Sequence, residues 1–227
     1  MTATPEIPRI KKLPTRAGAF VFRGKAVLLQ ARRSITDMLD PNIERHPAAV
    51  SLENAAILAS SSTALWTDAD PRERFLIAGK IHNLRLVAAK LNGIEVPAGK
   101  TFSFWKQIGR TSRMRGFAAG RELREGCIVP SIGGGLCQAS NALYDAAVQA
   151  GFEIVERHAH TQVIPGSLAE KDRDATVFWN YVDLQFRSET PFRIESVLDG
   201  ENLILRFRGE KAGGKVPVLK RAVIHSS

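Results

Sequence analysis

The chain has 227 residues, 44% of them hydrophobic and 24% charged, which is enough apolar material for a real core and excludes wholesale disorder. Its net charge is +9, but eight cations against Glu6 alone lie within the first 36 residues, so the excess belongs to an N-terminal arm. Two cysteines, Cys127 and Cys137, exclude a disulfide scaffold, although the pair could close a short loop in an oxidising compartment.

Residues 1–16, with three prolines and several cations, read as an irregular arm that could meet an anionic membrane surface; nothing in it specifies nucleic acid. Residues 17–39 suggest a strand followed by a helix, stopped by Asp40, Pro41 and Asn42. Residues 48–65 have the spacing of a packed helix. Residues 1–70 are thus expected to form a basic arm and a helical extension. A domain over 71–210 and a basic tail over 211–227 follow. No secretion-type leader and no run of ~18 apolar residues is present, so the expected location is cytoplasmic and at most peripheral to a membrane.

Asp70, Pro71 and Glu73 have the pattern of an N-cap, N1 and N3 ahead of the stripe Ile77, Ile81, Leu84, Ala88 and Leu91, and Gly93 stops that helix. Asn83 and Arg85 lie beside the stripe. Residues 97–100 carry Pro and Gly as a tight turn requires, and residues 101–105 alternate like a half-buried strand. Arg110, Arg113 and Arg115 make the next loop cationic.

Gly133, Gly134 and Gly135 then run directly into Leu136, Cys137 and Gln138, where a second helix begins and Gly151 ends it. A thiol in the first turn of a helix meets unpaired N–H groups and the positive end of the macrodipole, which favour thiolate over the free-thiol pKa of about 8.5. Residues 152–160 read as a strand with His158 and His160 on one face, placed to return to that helix start. Runs at 175–179, 182–186, 192–198 and 203–207, with the turn 199–202, predict an antiparallel meander preceded by Asp174.

The order cysteine, histidine, aspartate is what thiol hydrolases and acyltransferases need: a nucleophile, a proton carrier and an acid that orients the imidazole. It is also the chain order of papain-like and transglutaminase-like folds. Cys137 with His160 and Asp174 is the preferred set, with His158 and Asp183 as the other base and acid. The competing readings are a cysteine serving as a small hydrophobe, a metal held by Cys137, His158, His160 and Asp174, and a glycine loop that binds an anion without catalysis. No zinc-type cysteine spacing and no Lys-Ser/Thr ending of a phosphate loop supports a metal or nucleotide, so no cofactor is expected.

Residues 83–93, 97–105, 133–138 with Ser140 and Asn141, Glu156 and Arg157 with His160, Asp174 to Thr176, and Asp183 with Leu184 together closely resemble the VanW-like family, over about residues 74–208. The resemblance implies a link to cell-wall metabolism and glycopeptide resistance, and it marks Gly133, Gly134, Gly135, Cys137, Gln138, His160 and Asp174. The expected protein is α+β, with a helical N-terminal part and a glycine-rich loop and central helix packed on an antiparallel sheet. Its expected activity is thiol-dependent hydrolysis or acyl transfer on a peptidoglycan-related or other peptide-like substrate. Gly133, Gly134, Gly135, Gln138, Ser140, Asn141 and Arg85 would bind that substrate. The alternative is a non-catalytic cell-envelope binding protein.

Overall fold

A computed structural model describes residues 16–66, 73–124, 127–160 and 168–210. The predicted arm, the Asp70–Pro71 cap and the C-terminal tail lie outside these residues. The chain is α+β, with α1 (Arg16–Leu39), β1 (Ile57–Ala64), α2 (Arg74–Leu91), β2 (Glu95–Val96), β3 (Thr101–Ser103) and α3 (Phe104–Ile108) in order. Then come β4 (Ala119–Arg124), β5 (Cys127–Ile132), α4 (Leu136–Gln149), β6 (Glu153–Glu156), β7 (Gln185–Arg187), β8 (Phe192–Leu198) and β9 (Asn202–Gly209). No described helix is long and apolar enough to cross a membrane.

Antiparallel pairing builds a four-stranded sheet in the order β1-β9-β8-β2, a three-stranded sheet β3-β7-β6, and the separate hairpin β4-β5. β9 alternates in burial along its whole length, with Leu203, Leu205 and Phe207 inward. The sheets meet through aromatic rings: Phe102 stacks on Phe186 at 4.7 Å within the smaller sheet, and Phe186 reaches Phe192 and Phe207 of the larger one at 5.9 and 5.5 Å. Phe152, just ahead of β6, closes the cluster at 4.6 Å from Phe192. α4 lies against β1, β9 and α2, and its Asp145 accepts a hydrogen bond from Ser61 of β1 at 2.7 Å.

Three segments depart from the sequence expectation. Residues 17–39 form one helix, with no strand ahead of it. Residues 48–65 hold turns and then strand β1, not a helix. Serine and threonine at 60–63 are poor helix formers that fit a strand once β9 offers its edge, and Arg193 and Glu95 hold the preceding turns from a distance. Residues 104–108 turn helical because the Ser103 hydroxyl accepts the Lys106 N–H at 3.1 Å as an N-cap. By contrast α2 buries the predicted stripe of Ile77, Ile81, Leu84, Ala88 and Leu91.

Candidate functional site

The glycine run joins β5 to α4, and each glycine is required by what touches it. Gly133 and Gly135 have φ of +80° and +95°, and a Cβ on Gly133 would sit 2.7 Å from Thr111. A Cβ on Gly134 would strike the Gly120 carbonyl, and one on Gly135 would strike the aliphatic chain of Lys80. Asn83 secures the loop: its Nδ2 donates to the Ala118 and Gly134 carbonyls at 3.0 Å each, and its Oδ1 accepts the Ala118 N–H at 2.8 Å. The polar residue beside the α2 stripe is therefore the brace of the loop. Gly135 caps α4 with no side chain, so the first-turn N–H groups have no side-chain acceptor and Cys137 stands as the second helical residue. Cys137 is a free, half-buried thiol.

His160 and Asp174 face that thiol. The Nδ1 of His160 lies 2.6 Å from Asp174 Oδ1, and its backbone N–H donates to Asp174 Oδ2 at 2.5 Å, so one carboxylate fixes both ring and chain. Cys137 lies near enough to act electrostatically on the imidazole, while its sulfur touches the Thr176 hydroxyl at 3.7 Å and the Val177 carbonyl at 3.9 Å. Since Nδ1 serves Asp174, Nε2 is the nitrogen left for sulfur. The Asp174 hydrogen bond and then the Cys137 contact raise the imidazole to a pKa of about 10 against the opposition of burial. Burial pulls the Asp174 carboxyl upward, but the two His160 donors and the nearby Arg157 charge outweigh it and hold it below its usual range.

The segment after Asp174 is held by α4 itself. Ser140 Oγ donates to the Ala175 carbonyl at 2.5 Å, and Asn141 Oδ1 accepts the Ala175 N–H at 2.7 Å. Both side chains are buried. Thr176 comes next, with its hydroxyl 3.7 Å from the Cys137 sulfur and its N–H on the His158 carbonyl at 2.8 Å. The spacing predicts a strand over 175–179; the segment instead runs irregularly, because Ser140 and Asn141 of α4 take the Ala175 backbone groups and the Thr176 N–H turns to the His158 carbonyl. Strand β6 likewise ends at Glu156, short of the expected 160.

Cys137, His160 and Asp174 are thus brought together, and the other candidates are not. His158 turns to Glu156 at 3.2 Å, and Glu156 in turn accepts from Arg33 of α1 at 2.6 Å and from the Asp183 N–H at 3.1 Å. Asp183 is buried beneath α1, accepting from the Ser103 hydroxyl at 2.6 Å and from Arg33 at 3.2 Å. Gln138 is committed to β1 through the Thr63 hydroxyl at 3.0 Å and the Ala64 carbonyl at 2.8 Å. Arg85 is exposed, on nearly the opposite side of α2 from Asn83. Among the described residues, no group of three or more His, Cys, Asp or Glu is arranged to hold a metal ion. Sequence reasoning missed Arg157, whose Nε donates to the Asp174 carbonyl at 2.5 Å while its guanidinium lies 5.1 Å from the Tyr144 ring centroid. It gave Thr176 no role beyond its place in the family motif, and it missed Lys80, which no spacing in the chain connects to the cysteine.

Fold and site together define an α+β protein organised around a glycine-loop cysteine that faces a histidine–aspartate pair. Residues 79–208 match the family described as VanW like protein, more than half of the sequence, and the chain belongs to that family. It is 32% identical over 126 residues to the "Uncharacterized protein YoaR" of Bacillus subtilis (strain 168), covering 55% of this chain and 41% of the relative. It is 29% identical over 153 residues to the "Vancomycin B-type resistance protein VanW" of Enterococcus faecalis (strain ATCC 700802 / V583), covering 65% of this chain and 56% of the relative. The chain therefore spans about half the length of these curated relatives. No solved structure matches it, so the papain- and transglutaminase-like order of its residues stands as a likeness of order alone.

Proposed function

We propose that the protein is a thiol-dependent hydrolase or acyltransferase acting on a peptidoglycan-related or other peptide-like substrate. The observation that carries this reading is the hydrogen-bonded His160–Asp174 pair standing near Cys137 at the start of α4. His160, an imidazolium at neutral pH with its pKa raised to about 10, already holds on Nε2 the proton that Cys137 gives up, and the sulfur attacks an acyl carbonyl. The Thr176 hydroxyl, 3.7 Å from the sulfur, donates to the oxyanion, and His160 gives the proton to the departing amine. Water or an acceptor amine then adds to the thioester, giving up a proton to His160, and its acyl–sulfur bond breaks to restore Cys137. Asp174 holds the Nδ1 proton throughout. The name of the Enterococcus relative supports a search among cell-envelope peptides.

The test is alkylation of Cys137 by iodoacetamide, followed at the Cys137 peptide by mass spectrometry. His160→Ala is expected to slow it by about tenfold or more. Incubation with peptidoglycan-derived peptides is expected to leave an acyl group on Cys137. A thiol that is inert in the folded protein overturns the reading in favour of a non-catalytic binding protein.

The reading extends to contact with an anionic membrane surface. α1 turns its polar side inward, where Gln30 donates to the Trp179 carbonyl at 2.9 Å and Arg33 pairs with Glu156 and Asp183. Outward it carries Leu28, Ile35, Met38 and Leu39, 56–75% exposed, beside the exposed Arg32 and continuous with the basic arm. An apolar stripe bordered by cations fits a surface of acidic headgroups. Co-sedimentation with phosphatidylglycerol vesicles is expected, with loss in Leu28→Glu/Ile35→Glu. Equal binding to phosphatidylcholine vesicles, or none to either, overturns it.

A further inference from the structure

Lys80 is a lysine with 6% exposure, placed on the α2 face that meets the glycine loop. Its Cβ, Cγ and Cδ lie across Gly135, close enough that a methyl group on that glycine could not be accommodated. Its backbone nitrogen lies 3.0 Å from where a Cβ on Gly120 would be, so helix, hairpin and loop converge at this residue. Such burial is unusual for a lysine, whose side chain is mostly exposed unless paired. Among the described residues, Lys80 has no hydrogen-bond or ion-pair partner, and the charged group acting on it is another cation, Arg121. Arg121 itself is paired with Glu73 at 3.0 Å. Burial, and then Arg121, lower Lys80 to a pKa of about 8, which leaves the ammonium mostly charged at neutral pH.

Two independent features therefore meet at Gly135, two residues ahead of Cys137. One is a helix start whose cap residue, Gly135, has no side chain to accept its N–H groups. The other is a lysine whose buried stem runs over that same glycine and whose ammonium, among the described residues, has no anion. We propose that Lys80 and the N-terminus of α4 form a carboxylate subsite, so that the preferred substrate is a peptide-like acyl donor carrying a free carboxylate close to the reacting carbonyl. The chemical logic is complementarity: a carboxylate neutralises Lys80, accepts from the orphan N–H groups and escapes the nearby Arg121 repulsion that Lys80 now bears. This inference rests on the catalytic reading for the word substrate, but the subsite can be tested apart from it.

The test compares iodoacetate with its neutral isostere iodoacetamide on the full-length protein. Both alkylate sulfur by the same step, in which the thiolate forms the S–C bond and iodide leaves with the C–I electrons. The iodoacetate-to-iodoacetamide rate ratio at Cys137, relative to N-acetylcysteine, is expected to be raised about tenfold, the size of one hydrogen bond to a charged group. Lys80→Met should return the ratio to that of the free thiol, any change in thiol reactivity common to both reagents cancelling in it, and Lys80→Arg should keep it raised. A ratio no higher than the free thiol's, or one unchanged in a folded Lys80→Met protein, overturns the subsite. If Cys137 resists iodoacetamide, the catalytic reading fails by itself. The subsite is then read from the amide NMR signals of Leu136 and Cys137 titrated with acetyl-alanine and with acetyl-alaninamide. Saturable shifts with the acid alone, lost in Lys80→Met, support it; identical responses to both overturn it.

Discussion

Removing the charge of Asp174 while keeping its shape, as in Asp174→Asn, takes away the partner that raises His160. With its pKa lifted to about 10, chiefly by Asp174 and next by Cys137, His160 contributes stability that is fully present below its unfolded value of about 6.5. That contribution declines as pH rises and is lost through about pH 10. Lys80 acts with the opposite sign: its pKa is depressed to about 8, so its penalty is present below about pH 8 and fades towards its unfolded value of about 10.4. Urea denaturation at pH 6, 8 and 10 should therefore show Asp174→Asn losing most stability at pH 6 and least at pH 10. Lys80→Met should gain most at pH 6. Asn83 is a separate matter of unsatisfied groups. Asn83→Ala would strand the Ala118 N–H and remove the donor of two loop carbonyls, for a loss of about 2–3 kcal/mol read from the denaturation midpoint.

At the scale of elements, what could be read from the chain was whatever depends on near neighbours. The α2 stripe, the stop at Gly93, the 97–100 turn, the β8–β9 hairpin about Gly200 and the helix behind the glycine run all follow from spacing and backbone freedom within a few residues. The misses depend on distant partners. β1 is a strand because β9 pairs with it from Asn202 to Arg208, and residues 175–179 are irregular because Ser140 and Asn141 take the Ala175 backbone groups. The cysteine, histidine and aspartate were legible as residue types in order, and the choice of His160 and Asp174 rested on their places near strand ends. The diversion of His158 and Asp183 was not legible, since it depends on Arg33, a residue of α1 some 150 positions from Asp183 in sequence. Arg33→Met is expected to cost about 3 kcal/mol by leaving Glu156 and Asp183 without their shared cation, and to detach α1 before the main transition. Limited proteolysis within α1 reads that detachment directly. Gly135→Ala should be worse still, since a positive φ and the Lys80 stem both oppose it; its expected outcome is loss of the cooperative transition.

Over the whole molecule, the sheets and α4 form one aromatic and aliphatic core, and the site draws its parts from that core's rim. The nucleophile candidate belongs to α4, the imidazole follows β6, and the carboxylate precedes the stretch that α4 grips. Among the described residues α1 is held by polar contacts from Gln30, Arg33 and Ser34, so membrane attachment through its outer face would leave the hydrogen bonds among Cys137, His160, Asp174 and their neighbours untouched. A vesicle-bound protein is accordingly expected to retain the solution rate of Cys137 alkylation.

The grip of α4 on Ala175 also supplies a clock. This amide has no exposure and donates to a buried asparagine side chain outside any regular strand, so solvent deuterium can reach it only when the clamp between α4 and the Asp174 segment opens. Its exchange rate reports how often acid and thiol part company, whether or not any substrate is known. Asn141→Asp, which keeps an acceptor, should leave that rate slow, whereas Asn141→Leu should bring it towards the rate of a surface amide while the core strands stay protected.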